Sequence, residues 1–214
     1  MNLKKLFKLQ AELDRRIEAE HPRQPGEDRL AKKVLALLVE LGELANEWRG
    51  FKFWSNDQKP RNEILTNCEE ENADVWQCGN LSKCGAKFET ETFLKCCPIC
   101  GWDTIIPMRK HNQLLEEYVD CLHFILSIGL EIEVSDEDIE IALEIKENQT
   151  SQNTFDQFVL VINWANSMHD DNYYHELLAS FIVLGEMLGF TPEQIEEAYF
   201  EKNAVNHERQ EEGY

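Results

Sequence analysis

The sequence predicts an all-α protein interrupted by one small cysteine-rich, zinc-binding insert. Three observations carry that reading. Apolar residues recur at helical spacing along most of the chain, the periodicity disappears between residues 56 and 108, and six of the seven cysteines fall inside that gap. The expected organisation is one helical domain made of residues 1–55 and 109–214, carrying a zinc-ribbon-like insertion at 56–108.

Residues 2–20 read as an amphipathic helix with Leu3, Leu6, Leu9, Leu13 and Ile17 along one face, closed by the turn cluster His21-Pro22-Arg23-Gln24-Pro25-Gly26. Gln10 lies in that apolar stripe, either as an ordinary helix-edge amide or as a group facing a ligand. The next helix runs from about Glu27 to Arg49, with Leu30, Val34, Leu37, Leu41, Leu44 and Trp48 at 3–4 spacing. Glu40, Glu43 and Glu47 follow the same period one residue ahead of the stripe, which puts them at its half-buried edge. Glu40 comes directly after six apolar residues, where an ionised carboxylate is costly unless a cation meets it. The aromatic exit Gly50-Phe51-Lys52-Phe53-Trp54-Ser55 follows. Trp54 there either stacks on a base or covers the end of the core, and sequence physics favours the cover.

Within the insert, Cys97-Pro98-Ile99-Cys100-Gly101 is a zinc-knuckle pattern, two thiolates two residues apart with glycine permitting the turn around the metal. Its partner Cys78-x5-Cys84-Gly85 has a wider gap than usual. Phe88, Phe93 and Trp102 supply a small apolar cover. Cys78, Cys84, Cys97 and Cys100 are therefore the expected ligands of one structural Zn²⁺ per chain, with Cys68 and Cys96 as spares. A redox dithiol is the rival reading, disfavoured by the number of thiols and the absence of a βαβ setting.

A second carboxylate helix is expected from Lys110 to Leu130. Glu117 and Asp120 are three residues apart inside an apolar run, so both lie on one face. Two antiparallel helices, each offering a carboxylate pair from its inner edge, make an oxygen cage suited to Mg²⁺. His123 is either a packed histidine or a support behind the cage. Ser135 caps a helix to about Asn148. Residues 155–168 and 173–188 are the two most apolar helices, and a helix apolar all round is either central or covered by another subunit. The second possibility predicts a homodimer with its interface largely in 155–190. Thr191-Pro192-Glu193-Gln194 starts the last helix as a capping box. Lys202, Asn206 and Arg209 fall there at i, i+4 and i+7, a cationic and amide face suited to polyphosphate.

Composition narrows the function classes. The net charge of −20 over 214 residues argues against a DNA or RNA partner, because nothing offsets phosphate repulsion. A small anionic ligand remains compatible through metal ions and a local basic cluster. Met1 to Leu9 is lysine-rich with no apolar h-region after it, and no run reaches membrane-spanning length, so a cytoplasmic protein without membrane contact is expected.

Taken together, Glu40-x-x-Glu43 and Glu117-x-x-Asp120 are similar to the metal motif of the all-α, MazG-like nucleoside triphosphate pyrophosphohydrolases. More closely, Leu41-Gly42-Glu43-Leu44-Ala45-Asn46-Glu47 leading to Phe51-Lys52-Phe53-Trp54-Ser55 resembles the dimeric dUTPases. So do Glu117-Tyr118-Val119-Asp120-Cys121-Leu122-His123-Phe124-Ile125-Leu126 and Lys202-Asn203-x-x-Asn206-x-x-Arg209-Gln210. The resemblance covers nearly all of the chain except residues 56–108, an insertion where a short connection is usual.

The resemblance implies an all-α homodimer that hydrolyses dUTP to dUMP and pyrophosphate, and dUDP to dUMP and phosphate, keeping uracil out of DNA. It implies Mg²⁺ at Glu40, Glu43, Glu117 and Asp120, about two or three ions per site, which neutralise the triphosphate and acidify a water. Glu40, deepest in apolar surroundings, is the expected group for orienting or deprotonating that water. The family positions near the uracil match Gln10 and Trp54, with Lys52 beside them. Lys202, Asn203, Asn206, Arg209 and Tyr214 match positions that hold phosphates and sugar. Two alternatives stand beside this: a relative specific for another base, such as dCTP, and a non-enzymatic zinc-ribbon interaction module.

Overall fold

The computed structural model describes residues 1–90, 93–170 and 173–213. Its helices, in chain order, are α1 (Leu3–Glu20), α2 (Arg29–Trp48), α3 (Gln113–Glu131), α4 (Asp136–Asn148), α5 (Thr154–Asn166), α6 (Tyr174–Met187) and α7 (Pro192–Glu211). Five of them start where a side chain can accept an otherwise orphaned N–H. Asn2, Asp28, Ser135, Asn153 and Thr191 each accept from the backbone three residues on, and Ser135 and Thr191 complete capping boxes with Asp138 and Gln194. The all-α expectation holds. No helix among the described residues is long and apolar enough to cross a membrane.

By its internal contacts the chain forms two units, Met1–Pro60 with Leu114–Tyr214, and Arg61–Gln113. The first is the helical bundle. Its centre is α6, buried without interruption from Leu177 to Gly185 and packed against α4 and α5. Two tyrosines lock it in place. The Tyr118 ring stacks on Phe181 at 4.3 Å, its hydroxyl donates to the Phe181 carbonyl at 3.1 Å, and it fills the space a side chain at Gly185 would need. Tyr174 repeats the device against Gly129, donating to the Ile125 carbonyl at 3.0 Å. In both places glycine is required by the close approach of a ring.

The apolar character of α6 therefore comes from a central position. Of residues 155–190, expected to supply most of a subunit interface, α6 is thus taken up by the chain's own core, whereas α5 keeps exposed apolar side chains. Val161 and Ile182 are both buried inside the single chain. Exposed apolar side chains include Leu35 (64% exposed) and Val39 (53%) on α2, and Phe155, Val159 and Ile162 on the outer face of α5.

The second unit is a four-stranded antiparallel sheet of β1 (Ile64–Asn67), β2 (Val75–Cys78), β3 (Lys87–Phe88) and β4 (Ile105–His111), in the order β1-β4-β2-β3. Lys110, expected in a helix, pairs with Leu65 in this sheet, and α3 begins three residues later. The apolar content is small. Val75 and Trp76 are buried, Phe93 meets Trp76 edge-on at 5.3 Å, and Trp76 donates its indole N–H to the Thr90 carbonyl. A core of this size needs a further crosslink to be stable.

Candidate active site

Leu37, Leu41 and Leu44 are fully buried under α2 and leave Glu40 half-buried at the edge of their stripe. On α3, burial of Leu114, Tyr118 and Cys121 turns Glu117 and Asp120 to one side. One carboxylate oxygen from each of Glu40, Glu117 and Asp120 lies within 4.8 Å of the other two. Three like charges so close oppose ionisation. Burial, then the charges of Asp120, Glu43 and Glu117, push the Glu40 carboxyl up to about 7, with Lys202 pulling the other way. Burial raises Asp120 too, against the pull of Lys202. Hard oxygen donors carrying mutual repulsion are what a divalent cation such as Mg²⁺ relieves, so the residues present fit that metal. Glu43, one turn further along α2, is exposed and stands outside the trio, although its charge acts on Glu40.

The cation facing this cluster comes from α7. Lys202 Nζ lies 2.7 Å from Asp120 Oδ2 and 3.0 Å from Glu116 Oε1. Burial opposes its charge, but these two carboxylates overcome the effect and raise its proton affinity. Glu40, Asp120 and Lys202 open into a cleft of about 330 Å³ that also takes in Gln10, Asn206 and Arg209, the size class of a small-molecule site.

Not every expected residue reaches it. Trp54 is 65% exposed, edge-on to Phe51 and Phe53, and Lys52 caps the Asn46 carbonyl at the end of α2; neither lines the cleft. Asn203 is buried, and its Nδ2 meets no partner among the described residues. Tyr214 lies outside the described residues.

Three residues in one bonded network with Gln10 and His123, namely Asp14, Ser127 and Tyr199, escaped the sequence reading. Asp14 accepts from Gln10 Nε2 at 2.7 Å, from Ser127 Oγ at 2.6 Å and from Lys33 at 3.3 Å. His123 Nδ1 faces Gln10 Oε1 at 2.7 Å, and Tyr199 donates its hydroxyl to the same oxygen at 2.8 Å. The available signal was two i, i+4 pairs, Gln10/Asp14 on α1 and His123/Ser127 on α3, which put four polar groups on facing helix edges.

The second cluster lies in the sheet unit. Cys78, Cys84, Cys97 and Cys100 bring their sulfurs within 4.8 Å of one another. The Cys78–Cys100 and Cys84–Cys97 distances are 3.6 and 3.8 Å. Sulfurs about 2.3 Å from a tetrahedral centre stand about 3.8 Å apart, whereas a disulfide joins them at about 2.05 Å. Gly85 and Gly101 follow the second cysteine of each arm with φ of 58° and 70°, conformations that favour glycine. The wide Cys78–Cys84 gap is a turn organised by the Asn80 carbonyl, which accepts from the N–H groups of Lys83, Cys84 and Gly85. Burial raises the Cys78 thiol to about 12. Burial also opposes ionisation of Cys97, yet backbone N–H donation from Cys100 and Ile99 draws that thiol down to about 7. Cys68, Cys96 and Cys121 lie outside the cluster.

Residues 2–84 and 102–214 match the family model for dUTPase. The chain belongs to the dUTPase family. Its enzymatic activity is accordingly the hydrolysis of dUTP, a small anionic nucleotide of the kind the cleft suits. No curated protein matches the chain. The dUTPase pattern extends into the insert further than the sequence resemblance indicated, taking in β1, β2, β4, Cys78 and Cys84. Within the insert, 85–101 lie outside it, so Cys97 and Cys100 complete the sulfur cluster from a stretch that the family match does not cover.

Proposed function

We propose that the protein is a Mg²⁺-dependent dUTP diphosphatase that converts dUTP to dUMP and pyrophosphate and also accepts dUDP, releasing phosphate. The observation that carries this is the Glu40, Glu117 and Asp120 trio facing Lys202 in one cleft of a dUTPase-family chain. In this reading Glu40, Glu43, Glu117 and Asp120 hold the metal. When bound, Mg²⁺ neutralises phosphate charge and acidifies a water.

The chain's own residues supply the rest. Lys202, Asn203, Asn206, Arg209 and Tyr214 receive phosphates and sugar, so the polyphosphate lies along α7 with its charge met by side chains. Gln10, Lys52 and Trp54 belong to the base end. Glu40 orients the attacking water and accepts its proton as the water oxygen bonds to phosphorus and pyrophosphate leaves. A carboxylate with proton affinity near neutral is matched to that exchange. Positioning and charge neutralisation suffice, and no covalent enzyme intermediate is required.

The thiolate cluster holds one structural Zn²⁺ per chain, which stabilises a sheet with little apolar core. A cytoplasmic homodimer completes the reading, its contact built on Leu35, Val39, Phe155, Val159 and Ile162, because apolar side chains on adjacent outer faces are best covered by a second copy.

Pyrophosphate release from a panel of deoxynucleotides, with and without Mg²⁺, tests the reading. Preferred turnover of dCTP establishes the other-base alternative. No Mg²⁺-dependent release from any nucleotide overturns the enzyme reading and leaves the zinc-ribbon interaction module.

A further inference from the structure

Away from the cleft, α4, α5 and α6 border a groove of about 510 Å³, within the size range of small-ligand sites. Each helix gives it one stripe. Ile141, Glu144, Ile145 and Asn148 fall at i, i+3, i+4 and i+7 on α4. Leu160 and Trp164 are four apart on α5, and Glu176 and Ser180 are four apart on α6. Leu160 and Trp164 occupy a different side of α5 from the exposed Phe155, Val159 and Ile162, so the groove and that apolar face are separate surfaces.

Unpartnered acceptors gather around Ser180, which is 1% exposed. Oε2 of Glu176 is buried with no hydrogen-bond partner among the described residues, and so is Oε1 of Gln149. Gln149 spends its amide nitrogen on Ser180 Oγ at 3.0 Å. One turn before Leu160, fully buried Gln157 donates Nε2 to the Ser180 carbonyl at 2.6 Å, and its own Oε1 is left unpartnered. Buried acceptors are normally satisfied, and an unmet carboxylate oxygen is the costliest kind to leave.

Nothing in the groove answers them. Its described lining holds two carboxylates, Glu144 and Glu176, and no lysine, arginine or histidine. The cations adjacent in sequence are engaged elsewhere: Lys146 pairs with Glu186 at 2.6 Å and His175 with Asp138 at 2.9 Å. A group that enters must therefore bring N–H donors and positive charge. It must also suit apolar walls, because Ile141, Ile145, Leu160 and Trp164 form the rest of the lining. Those walls disfavour a divalent metal, which wants a shell of oxygen ligands.

We propose that this groove is a binding site for a small aliphatic cation, a guanidinium or primary amine carried on a short alkyl stem. The head donates charge-assisted hydrogen bonds to Glu176 and Gln149, and the stem lies along the isoleucines and Leu160. Trp164, held by stacking on Tyr173 with centroids 5.1 Å apart, supplies an aromatic wall of the kind that attracts cations. The site stands independently of the dUTP-hydrolysing reading, since none of its residues lines the cleft.

Butylguanidinium and its neutral isostere N-butylurea separate charge from shape. Calorimetry on the wild type should find butylguanidinium binding with a Kd of about 1 mM or tighter. N-butylurea should bind at least about tenfold more weakly, the difference expected when hydrogen bonds lose their charge. Glu176→Gln should weaken butylguanidinium at least about tenfold, with N-butylurea binding and dUTP turnover as in the wild type. That variant also separates the groove from general attraction of cations to an acidic surface, which loss of one carboxylate out of 41 acidic residues would scarcely change. Equal binding of the two compounds overturns the proposal, as does no binding of either at about 10 mM or wild-type butylguanidinium affinity in Glu176→Gln. If Glu176→Gln does not fold, Gln149→Leu, which removes the other acceptor of the groove, decides by the same criterion.

Discussion

The ammonium of Lys202 stands 2.7 Å from Oδ2 of Asp120, joining the last helix of the chain to the carboxylate cluster on α3. Both side chains are largely shielded, at 14% and 18% exposure. Removing one member of such a pair leaves the other charge without a partner. Lys202→Met should therefore destabilise the metal-free protein by about 1–3 kcal/mol and raise KM for dUTP. Urea denaturation and steady-state kinetics read the two effects. Wild-type KM in this variant would remove Lys202 from the phosphate site.

The carboxylates should separate by function from their neighbours. Glu117→Gln and Asp120→Asn should each lower Mg²⁺-dependent turnover by at least about a hundredfold, with helical content unchanged. Glu43→Gln carries the same expectation under the four-ligand proposal. Its exposed position makes it the sharpest of the three tests, and near wild-type activity in that variant would leave the metal to Glu40, Glu117 and Asp120.

Glu40 predicts a pH dependence. Its folded-state proton affinity, about 7, lies above the ordinary carboxylate value of 4.5. A group shifted upward on folding contributes stability that is complete below its unfolded value and is lost as pH rises through the folded one. Metal-free protein should therefore lose stability between about pH 4.5 and 7 relative to Glu40→Gln. The side chain is half-exposed, so the effect is on the order of 1 kcal/mol, or about 2–4 °C in Tm. Thermal melts of both proteins across this range check it, and parallel Tm curves would contradict it.

Elemental analysis of protein purified without chelator should find one zinc per chain. Cys97→Ser should abolish zinc binding, because an incomplete thiolate set no longer closes a tetrahedral structural site. The fluorescence of Trp76, which packs against Phe93 beside this cluster, should shift on zinc removal. Far-UV helicity should stay, since the helical core contains no cysteine ligand.

Gly185→Ala should destabilise the bundle by about 1–3 kcal/mol, the usual cost of overpacking a core, because its Cβ would meet the Tyr118 hydroxyl first. Tyr118→Phe removes that atom, so the double variant should lose less than the two single losses added together. Strict additivity in a double-mutant cycle would contradict the contact.

Much of this protein could be read from local spacing. The caps at Ser135 and Thr191, the knuckle glycines Gly85 and Gly101, and the carboxylates of α2 and α3 are local patterns. The forces that make them act within one turn of chain. For the same reason the all-α class and the sulfur cluster were visible in one dimension.

What the sequence by itself determined, then, was the inventory: which helices form, which carboxylates sit at apolar edges, and which cysteines are spaced for a metal. The tertiary structure decided everything that depends on which face meets which. It placed α6 at the centre, where apolarity alone could equally have meant a subunit interface. It set Lys202 and Glu116, 86 residues apart in sequence, within an ion pair. It assembled Asp14, Gln10, Tyr199 and His123 from three helices into a network that leaves one imidazole nitrogen bare. Periodicity specifies direction around a single helix axis. The identity of the group on the other side is fixed only when packing brings distant helices together.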